Sequence, residues 1–501
     1  MKETISKRTL TSRAFQKENG KRVFRFHSDH INYEKDGVLE VIDKSFIEVE
    51  GKVTTKATGF DLQIEKENKE GESPFSFGVK ANSYGLFPRG LRWDNKEVVF
   101  QDSKKVSVKR NDFSAEYKGA FGDSDLIFET INTGVRKIVK INKPLSIPDG
   151  VEFLEVGFEI LIDDDHDFCF QDKNNEPEVN KILAKLSKLD PKRLVLEKEG
   201  KYKEARELYK QQQELENDLQ IAMVSKWDKD SDVRFSGVFQ IRKGETIIYG
   251  RVPYVWGSDG KSQSIEVELR KRNGKLYFTK LLPVEFLKEA IFPVQTDATT
   301  SYYVGTGCGD IYTFNASFAT GRSASSGDAT SVNPAFDLYA SCTKSGANYL
   351  NRRAFYPIDT SGIADSDLID SATLKLYGYG KTNANTTDHD IIQTTQASTS
   401  TLVVGDFDQV GSTVSASKAI STISVSAYND FALDATGVGW ISKTGFTKLG
   451  ARNSRDTDNS APTGSNEFNC KPPSTAGTAQ DPYLEVITTE VNTFIPKVIM
   501  F

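Results

Sequence analysis

The chain has only four His, four Cys, three Met and four Trp among 501 residues, and each shortage excludes something. Four cysteines (Cys169, Cys308, Cys342, Cys470) are too few to staple a disulfide framework, and none forms a C-x-x-C pair. Only Cys169 has a histidine close by, His166, so the four read as buried thiols that pack like small apolar residues. With so few imidazoles a nucleophile–base–acid triad is hard to assemble, and the G-x-S-x-G, H-E-x-x-H and P-loop signatures are all missing. No run of about eighteen apolar residues occurs, so no transmembrane helix and no membrane insertion are expected. The opening "MKETISKRTLTSRAF" lacks an apolar segment behind its charges, so a secretory signal peptide is not expected. Net charge is only −6, with a pI near 5.6, which leaves no electrostatic basis for a nucleic-acid or anionic-membrane partner.

What the chain does have is aromatic mass, 31 Phe and 18 Tyr, enough for globular cores in two or three domains. It also has an abrupt change of composition. Residues 1–300 hold 51 basic and 51 acidic side chains, whereas residues 301–501 hold 13 basic and 19 acidic, only three of them Glu. The second part is rich in Asp, Asn, Gly, Ser and Thr, the turn formers. The stretch "LKEAIFPVQTDATTSYYVGTG" sits at the change, and Asp297 within it reads as a junction residue rather than a catalytic carboxylate. The expected division is an antiparallel β region over 1–297, a β-sandwich over 298–490 and an apolar tail over 491–501.

Periodicity of two dominates the first part. "RVFRFHSDHINYEKDGVLEVID", "SPFSFGVKANSYGLF" and "EFLEVGFEILID" alternate apolar and polar residues, with turn signals at Asp36-Gly37, Asp259-Gly260 and Asn273-Gly274. The second part offers "ATLKLYGYGK", "ISTISVSAYNDFALD" and "PYLEVITTE", short alternating strands suited to a sandwich or jelly roll. The fold class is mainly β.

Residues 176–222 break that pattern with helix formers and apolar residues at steps of three and four. Asp190-Pro191 is expected to stop a first helix and open a second. The seam Tyr202, Ala205, Tyr209, Gln212, Leu215 and Leu219 makes a helical hairpin inserted in the β region, entering and leaving through one loop. Such a Lys/Glu-rich hairpin reads either as a protruding arm or oligomerisation element, or as a solvated helix pair lying on its own domain. Tyr202, Tyr209, Leu215 and Leu219 are the candidate oligomerisation residues, together with Phe494, Ile495 and Phe501 of the tail.

Two clusters could carry ligands. Asp163, Asp165 and Asp167 alternate in "DDDHDFCF", oxygen ligands that a Ca2+ ion would take, with His166 inviting a transition metal, against a plain charged strand end. Asp456, Asp458 and Asn459 lie in "NSRDTDNSAPTGSNE" and could hold Ca2+ or sugar hydroxyls, against a solvated loop. No cofactor is expected beyond such an ion. Tyr377, Tyr379 and Trp440 could stack on sugar rings, against core or strand-face packing. Paired carboxylates for glycoside hydrolysis stay open, since acids abound and their separation is not legible in a sequence.

The strand "LIDSATLKLYGYG", preceded by "NRRAFYPIDTSGIADSD" and followed by "AYNDFALDATGVGWISKTGFTKLGARNSRDTD" and "DPYLEVI", resembles the DNRLRE-type module over most of residues 302–490. The region before it, with "INYEKDGVLEVID" and the hand-over "LKEAIFPVQTDAT", resembles what precedes such modules in cell-wall-associated and Rhs-like proteins. YD repeats and a toxin domain are absent, and the helical insert is a departure. The resemblance implies a non-catalytic bacteriophage virion protein, made in the host cytoplasm and exposed on the particle as a fibre, tail-associated or head-decorating component. Its implied partners are other virion proteins, copies of itself and host-surface glycans. A bacterial surface adhesin or carbohydrate-binding protein, and a polysaccharide lyase or hydrolase with an appended module, are the alternatives.

Overall fold

The alternation in "RVFRFH" becomes the strand Arg22–His27, and its partner is Tyr483–Glu490, with Phe24 opposite Val486 and Phe26 opposite Leu484. The two phenylalanines stack 5.7 Å apart, both buried. On the other face Arg25 Nε donates to Glu485 Oε2 at 3.1 Å, and at the strand's start Arg22 Nη1 donates to Asp367 Oδ1 at 3.1 Å. The start of the chain is therefore a strand pair of the C-terminal sandwich.

The structure is a computed structural model that describes residues 1–27, 29–67, 74–80, 82–94, 107–258, 262–301, 307–332, 338–473 and 480–490. It resolves into two units of interleaved sequence. One comprises Met1–Glu40, Asn180–Leu219 and Gly305–Phe501, the other Val41–Val179 and Gln220–Val304. This corrects the division expected at 297/298. The sandwich takes in residues 1–40 and the body of the helical insert, because strand pairing and burial ignore chain order. Asp297 lies inside the strand Val294–Ser301 of the other unit, its backbone registered with Ile138.

In the first unit, fourteen strands form one antiparallel sheet. It turns at the 17-residue strand Asp367–Asn383, whose first half pairs with Tyr483–Glu490 and whose second half pairs with Asn466–Cys470. The register slips between Gly378 and Gly380, a bulge that bends the strand. A Cβ at Gly378 would stand 2.2 Å from Ser424 O, so only glycine permits the crossing. The layers enclose a core that includes Leu338, Tyr356, Leu374, Leu449, Phe468 and Leu484.

The second unit has a nine-stranded and an eleven-stranded sheet, antiparallel where they pair. Rings join them: Phe75 of the first stacks on Phe128 of the second at 4.7 Å, and Phe168 meets Phe278 at 6.3 Å. Asp36-Gly37 and Asn273-Gly274 turn with positive φ at both residues, as two-residue hairpins require. The third turn signal, Asp259-Gly260, lies outside the described residues. Mainly β is thus the fold class, the first unit being a β-sandwich.

The insert is two helices, α1 (Glu176–Lys198) and α2 (Tyr202–Ala222). α1 runs through Pro191 instead of stopping there. The helix ends seven residues later at Lys198 and is closed by Gly200 (φ +75°), whose N–H donates to Glu197 O while Lys201 N–H donates to Leu196 O, a Schellman closure. Proline removes one helical hydrogen bond, and the burial and pairing of Asp190 and Arg193 on either side of it offset that loss. As expected, the insert enters and leaves through one place. Phe170 pairs with Ser225, and Ser225 Oγ donates to Asp172 Oδ2 at 2.8 Å.

Candidate functional site

The hairpin does not project as an arm. Ala205, Tyr209, Gln212, Glu216 and Leu219 of α2 are buried within the first unit, a step of three and four throughout. Tyr209 and Leu219 are consequently unavailable as oligomerisation anchors, while Tyr202 and Leu215 are half-buried. The tail residues Phe494, Ile495 and Phe501 lie outside the described residues.

The docking is polar. Arg193 of α1 is completely buried. Its Nη2 donates to Asp190 Oδ1 at 2.7 Å, and its Nη1 to Ser442 Oγ at 2.7 Å and Thr444 Oγ1 at 3.0 Å. Glu197 accepts from Ser442 Oγ at 3.0 Å and from the Lys443 N–H. Asp190 Oδ2 lies 2.9 Å from Lys448 Nζ. Burial opposes the Asp190 charge, but Lys448 and then Arg193 hold its carboxyl below the usual range. Asp190, Arg193 and Glu197 fall on one helix face by their spacing of three and four. On α2, Glu216 accepts from Ser398 Oγ (2.7 Å), Thr399 N–H (2.6 Å), Thr399 Oγ1 (3.1 Å) and Ser400 Oγ (2.5 Å). Gly445 lies beneath both helices, where a Cβ would stand 2.8 Å from Tyr209 Cδ2 and 3.0 Å from Arg193 Cζ. Apolar periodicity does not mark these charged residues, and Asp190, Arg193 and Glu197 are signalled in the sequence by their spacing of three and four.

Of the acidic trio, the structure brings together Asp163 and Asp165 but not Asp167. A turn closed by His166 N–H to Asp163 O at 3.1 Å gathers Asp163, Asp165 and His166, with their ligating atoms within 4.8 Å of one another. Asp167 begins the next strand and pairs with Lys226 at 2.6 Å. An ammonium bridges the two gathered carboxylates. Lys243 Nζ is 3.1 Å from Asp163 Oδ2 and 3.2 Å from Asp165 Oδ1, and Asp163, then Asp165, raise its affinity for its proton. Among the described residues both ring nitrogens of buried His166 lack a hydrogen bond, Nδ1 lying 3.2 Å from Asp165 Oδ1 without alignment. Two carboxylates and an imidazole fall short of the six to eight oxygens that calcium takes.

The loop trio is likewise divided. Asp456 is buried and serves as the anion of an arginine cluster. Arg353 donates Nε to Oδ2 at 2.8 Å and Nη2 to Oδ1 at 3.0 Å, and Arg452 does so at 2.7 and 2.8 Å. Burial pushes this carboxyl up, yet Arg353 and Arg452 more than offset it and hold its pKa at about 2. Asp458 and Asn459 are exposed, Asn459 at φ +55°. Asp456 is therefore not a ligand group, because the "NRRAF" strand delivers Arg353 beneath it.

A concave site lies beside α1. α1 and the sandwich enclose a pocket of about 280 Å3, walled by Pro191, Leu194, Trp440 and Phe446 on its apolar sides and by Asp190, Lys448, Thr395 and Gln396 on its polar sides. Trp440 packs on the core by one side and is half-buried. Gln396 is wholly buried, its backbone carbonyl accepts from Lys448 Nζ at 2.8 Å, and neither its Oε1 nor its Nε2 has a partner among the described residues. A buried amide left so costs about 1–3 kcal/mol. Of the other aromatics, Tyr377 donates to Ser426 O at 2.8 Å and Tyr379 is exposed beneath Lys471 Nζ, 3.4 Å from its ring centre. A cavity of about 20 Å3 in the second unit, against Tyr84, Lys137, Phe158 and Lys280, has room for one water. All four cysteines are buried. Among the described residues no helix is long and apolar enough to cross a membrane.

No protein-family model matches the sequence, and no curated protein matches it.

Proposed function

We propose that this chain is a non-catalytic structural protein of a bacteriophage virion, exposed on the particle as a fibre, tail-associated or head-decorating component, and that it works by contact. The observation that supports this reading is the fate of the buried and half-buried carboxylates. Asp190, Glu197, Glu216 and Asp456 are each held by two or more donors that hold framework pieces together. Reacting carboxylates need a mobile proton and access to substrate; these have donors on their oxygens and are screened from solvent. The DNRLRE-like motifs over 302–490 agree with such a role, as do loops of Asp, Asn, Ser and Thr that offer hydrogen-bonding groups from a rigid sandwich. Its partners on this reading are other virion proteins and copies of itself.

The alternative of a surface adhesin or carbohydrate-binding protein has one observation in its favour, the pocket beside Trp440. Mass spectrometry of purified particles tests the virion reading: the chain is expected in many copies. Its absence from the particles, with turnover of a glycan panel by the purified protein, would replace this reading with the lyase or hydrolase.

A further inference from the structure

We propose that the turn over residues 163–166 of the second unit binds a divalent transition-metal ion through Asp163, Asp165 and His166, in place of the Lys243 ammonium. The site goes beyond the contact reading and does not depend on it.

The turn joins the strands Phe153–Leu161 and Asp167–Gln171 and is closed by the His166 N–H on Asp163 O. That closure gathers ligating atoms of two carboxylates and one imidazole within 4.8 Å of one another. Acidic side chains so gathered are common on a surface, but the imidazole is not. His166 is 1% exposed, and neither ring nitrogen has a hydrogen-bond partner among the described residues. Its Nδ1 lies 3.2 Å from Asp165 Oδ1, yet the oxygen stands off the axis that a ring N–H would take. Two ligands of one ion are arranged in this way, because a metal on the lone-pair axis of the ring leaves its other ligands to the side. With metal–ligand bonds of about 2.1 Å, adjacent ligand atoms stand roughly 3.0 to 3.4 Å apart.

A cation already occupies the place. Lys243 ends the strand Phe239–Lys243, whose register sets Arg242 opposite Asp167. Its Nζ is 3.1 Å from Asp163 Oδ2 and 3.2 Å from Asp165 Oδ1, the same oxygen that faces His166. The two carboxylate side chains are 75% and 61% exposed, so these ion pairs are weak and open to exchange. Their exposure is also the way in. An ion meets the carboxylates from solvent and reaches the buried Nδ1 across Asp165 Oδ1.

The donor set then selects the metal. Imidazole with carboxylate suits Zn2+, Co2+ or Ni2+, whereas Ca2+ and Mg2+ take oxygens. Three protein ligands leave a fourth position to water. Nε2 has no acceptor among the described residues, and Lys229 Nζ lies 3.2 Å from His166 O. A ligating imidazole is usually oriented by an outer hydrogen bond. Without one, and with a second ammonium nearby, the expected affinity is micromolar rather than nanomolar.

The test uses the full-length, tag-free protein and the chloride salts of Zn2+, Co2+, Ca2+ and Mg2+. Titration calorimetry should give one Zn2+ per chain, with a Kd of micromolar order that lies about tenfold or more below that for Ca2+. Zn2+ should raise the melting temperature and shift one imidazole among the four in NMR spectra. Asp163→Asn and Asp165→Asn, both at exposed positions, should each weaken binding about tenfold or more. Neither should change the melting temperature of the metal-free protein. Lys243→Ala removes the competing ammonium and should tighten binding severalfold, a gain that a merely structural turn would not give. One ion per chain, weakened by Asp165→Asn and tightened by Lys243→Ala, establishes the site. No saturable binding below about 1 mM overturns it. So does binding that the two Asp variants leave unchanged, or calcium bound as tightly as zinc with no imidazole shift.

Discussion

Arg193 and Ser442, 249 positions apart in the chain, are joined by a hydrogen bond of 2.7 Å from Nη1 to Oγ. That bond belongs to a buried network in which one guanidinium serves Asp190, Glu197, Ser442 and Thr444. It ties an insert from one part of the sequence to a sandwich made from another.

Arg193→Ala should therefore cost about 3–5 kcal/mol, because it leaves buried Asp190 and half-buried Glu197 with a partner lost. Gly445→Ala should also destabilise, since the added methyl meets Tyr209 and the buried Arg193 within 3.0 Å. Replacing residues 176–222 by a short linker should lower the stability of the sandwich rather than leave it untouched. Urea unfolding followed by circular dichroism measures all three; a parental midpoint in Arg193→Ala would refute the role given to the network.

Residues 302–490 expressed alone should fail to unfold cooperatively. Without residues 1–40 the strand Tyr483–Glu490 loses its partner Arg22–His27, and an edge with an uncovered apolar face remains. A chain carrying residues 1–40 and the hairpin should restore a single calorimetric transition. A sharp transition in the 302–490 fragment alone would count against the interleaved unit.

Asp456→Asn should be among the most damaging single substitutions, about 3–5 kcal/mol, since Arg353 and Arg452 would be left buried without their anion. Asp458→Ala should change stability by no more than ~0.5 kcal/mol, as an exposed loop residue. Asn459→Gly should be neutral or slightly stabilising, because φ is +55° there. Comparable losses at 456 and 458 would contradict the assignment of Asp456 to the framework.

Acid should weaken the first unit through its histidines. Burial, with Arg13 and Arg25 adding for His27, lowers His27 and His389 to about 3 and His30 to about 4 from 6.5. Between those values and 6.5 the unfolded chain binds more protons than the native one, so stability falls as pH drops from about 6.5, by up to ~1.4 kcal/mol per pH unit per group. Asp406 acts in the opposite sense. Burial raises it to about 6, so the native state binds the extra proton between 3.8 and 6 and gains stability as pH falls there. His389 sits among Phe431 and Phe468 rings, 5.3 and 4.9 Å away. His389→Leu should remove one proton's slope between pH 6 and 4 in denaturant titrations. An unchanged slope would mean that this imidazole is not the group titrating on unfolding.

Local chemistry determined a good deal of this protein without help from the rest of the chain. Alternation set Arg22–His27 and Tyr483–Glu490 as strands. Asp36-Gly37 and Asn273-Gly274 set two hairpins, because only a few residue types accept positive φ twice in succession. The run from Glu176 to Ala222 set a pair of helices. Each of these depends on neighbours within about four residues. What the tertiary structure decided is where the partners are. Arg25 met Glu485 across 460 positions, and α1 continued through Pro191 where Asp190 found Lys448. Asp456 became a buried anion because Arg353 arrived 103 positions away, and Asp167 left the acidic turn for Lys226. A carboxylate has the same sequence signature whether it faces water, a cation or a ligand. The free energy of burying its charge depends on donors brought within 3 Å by the fold, so the fold assigns its role.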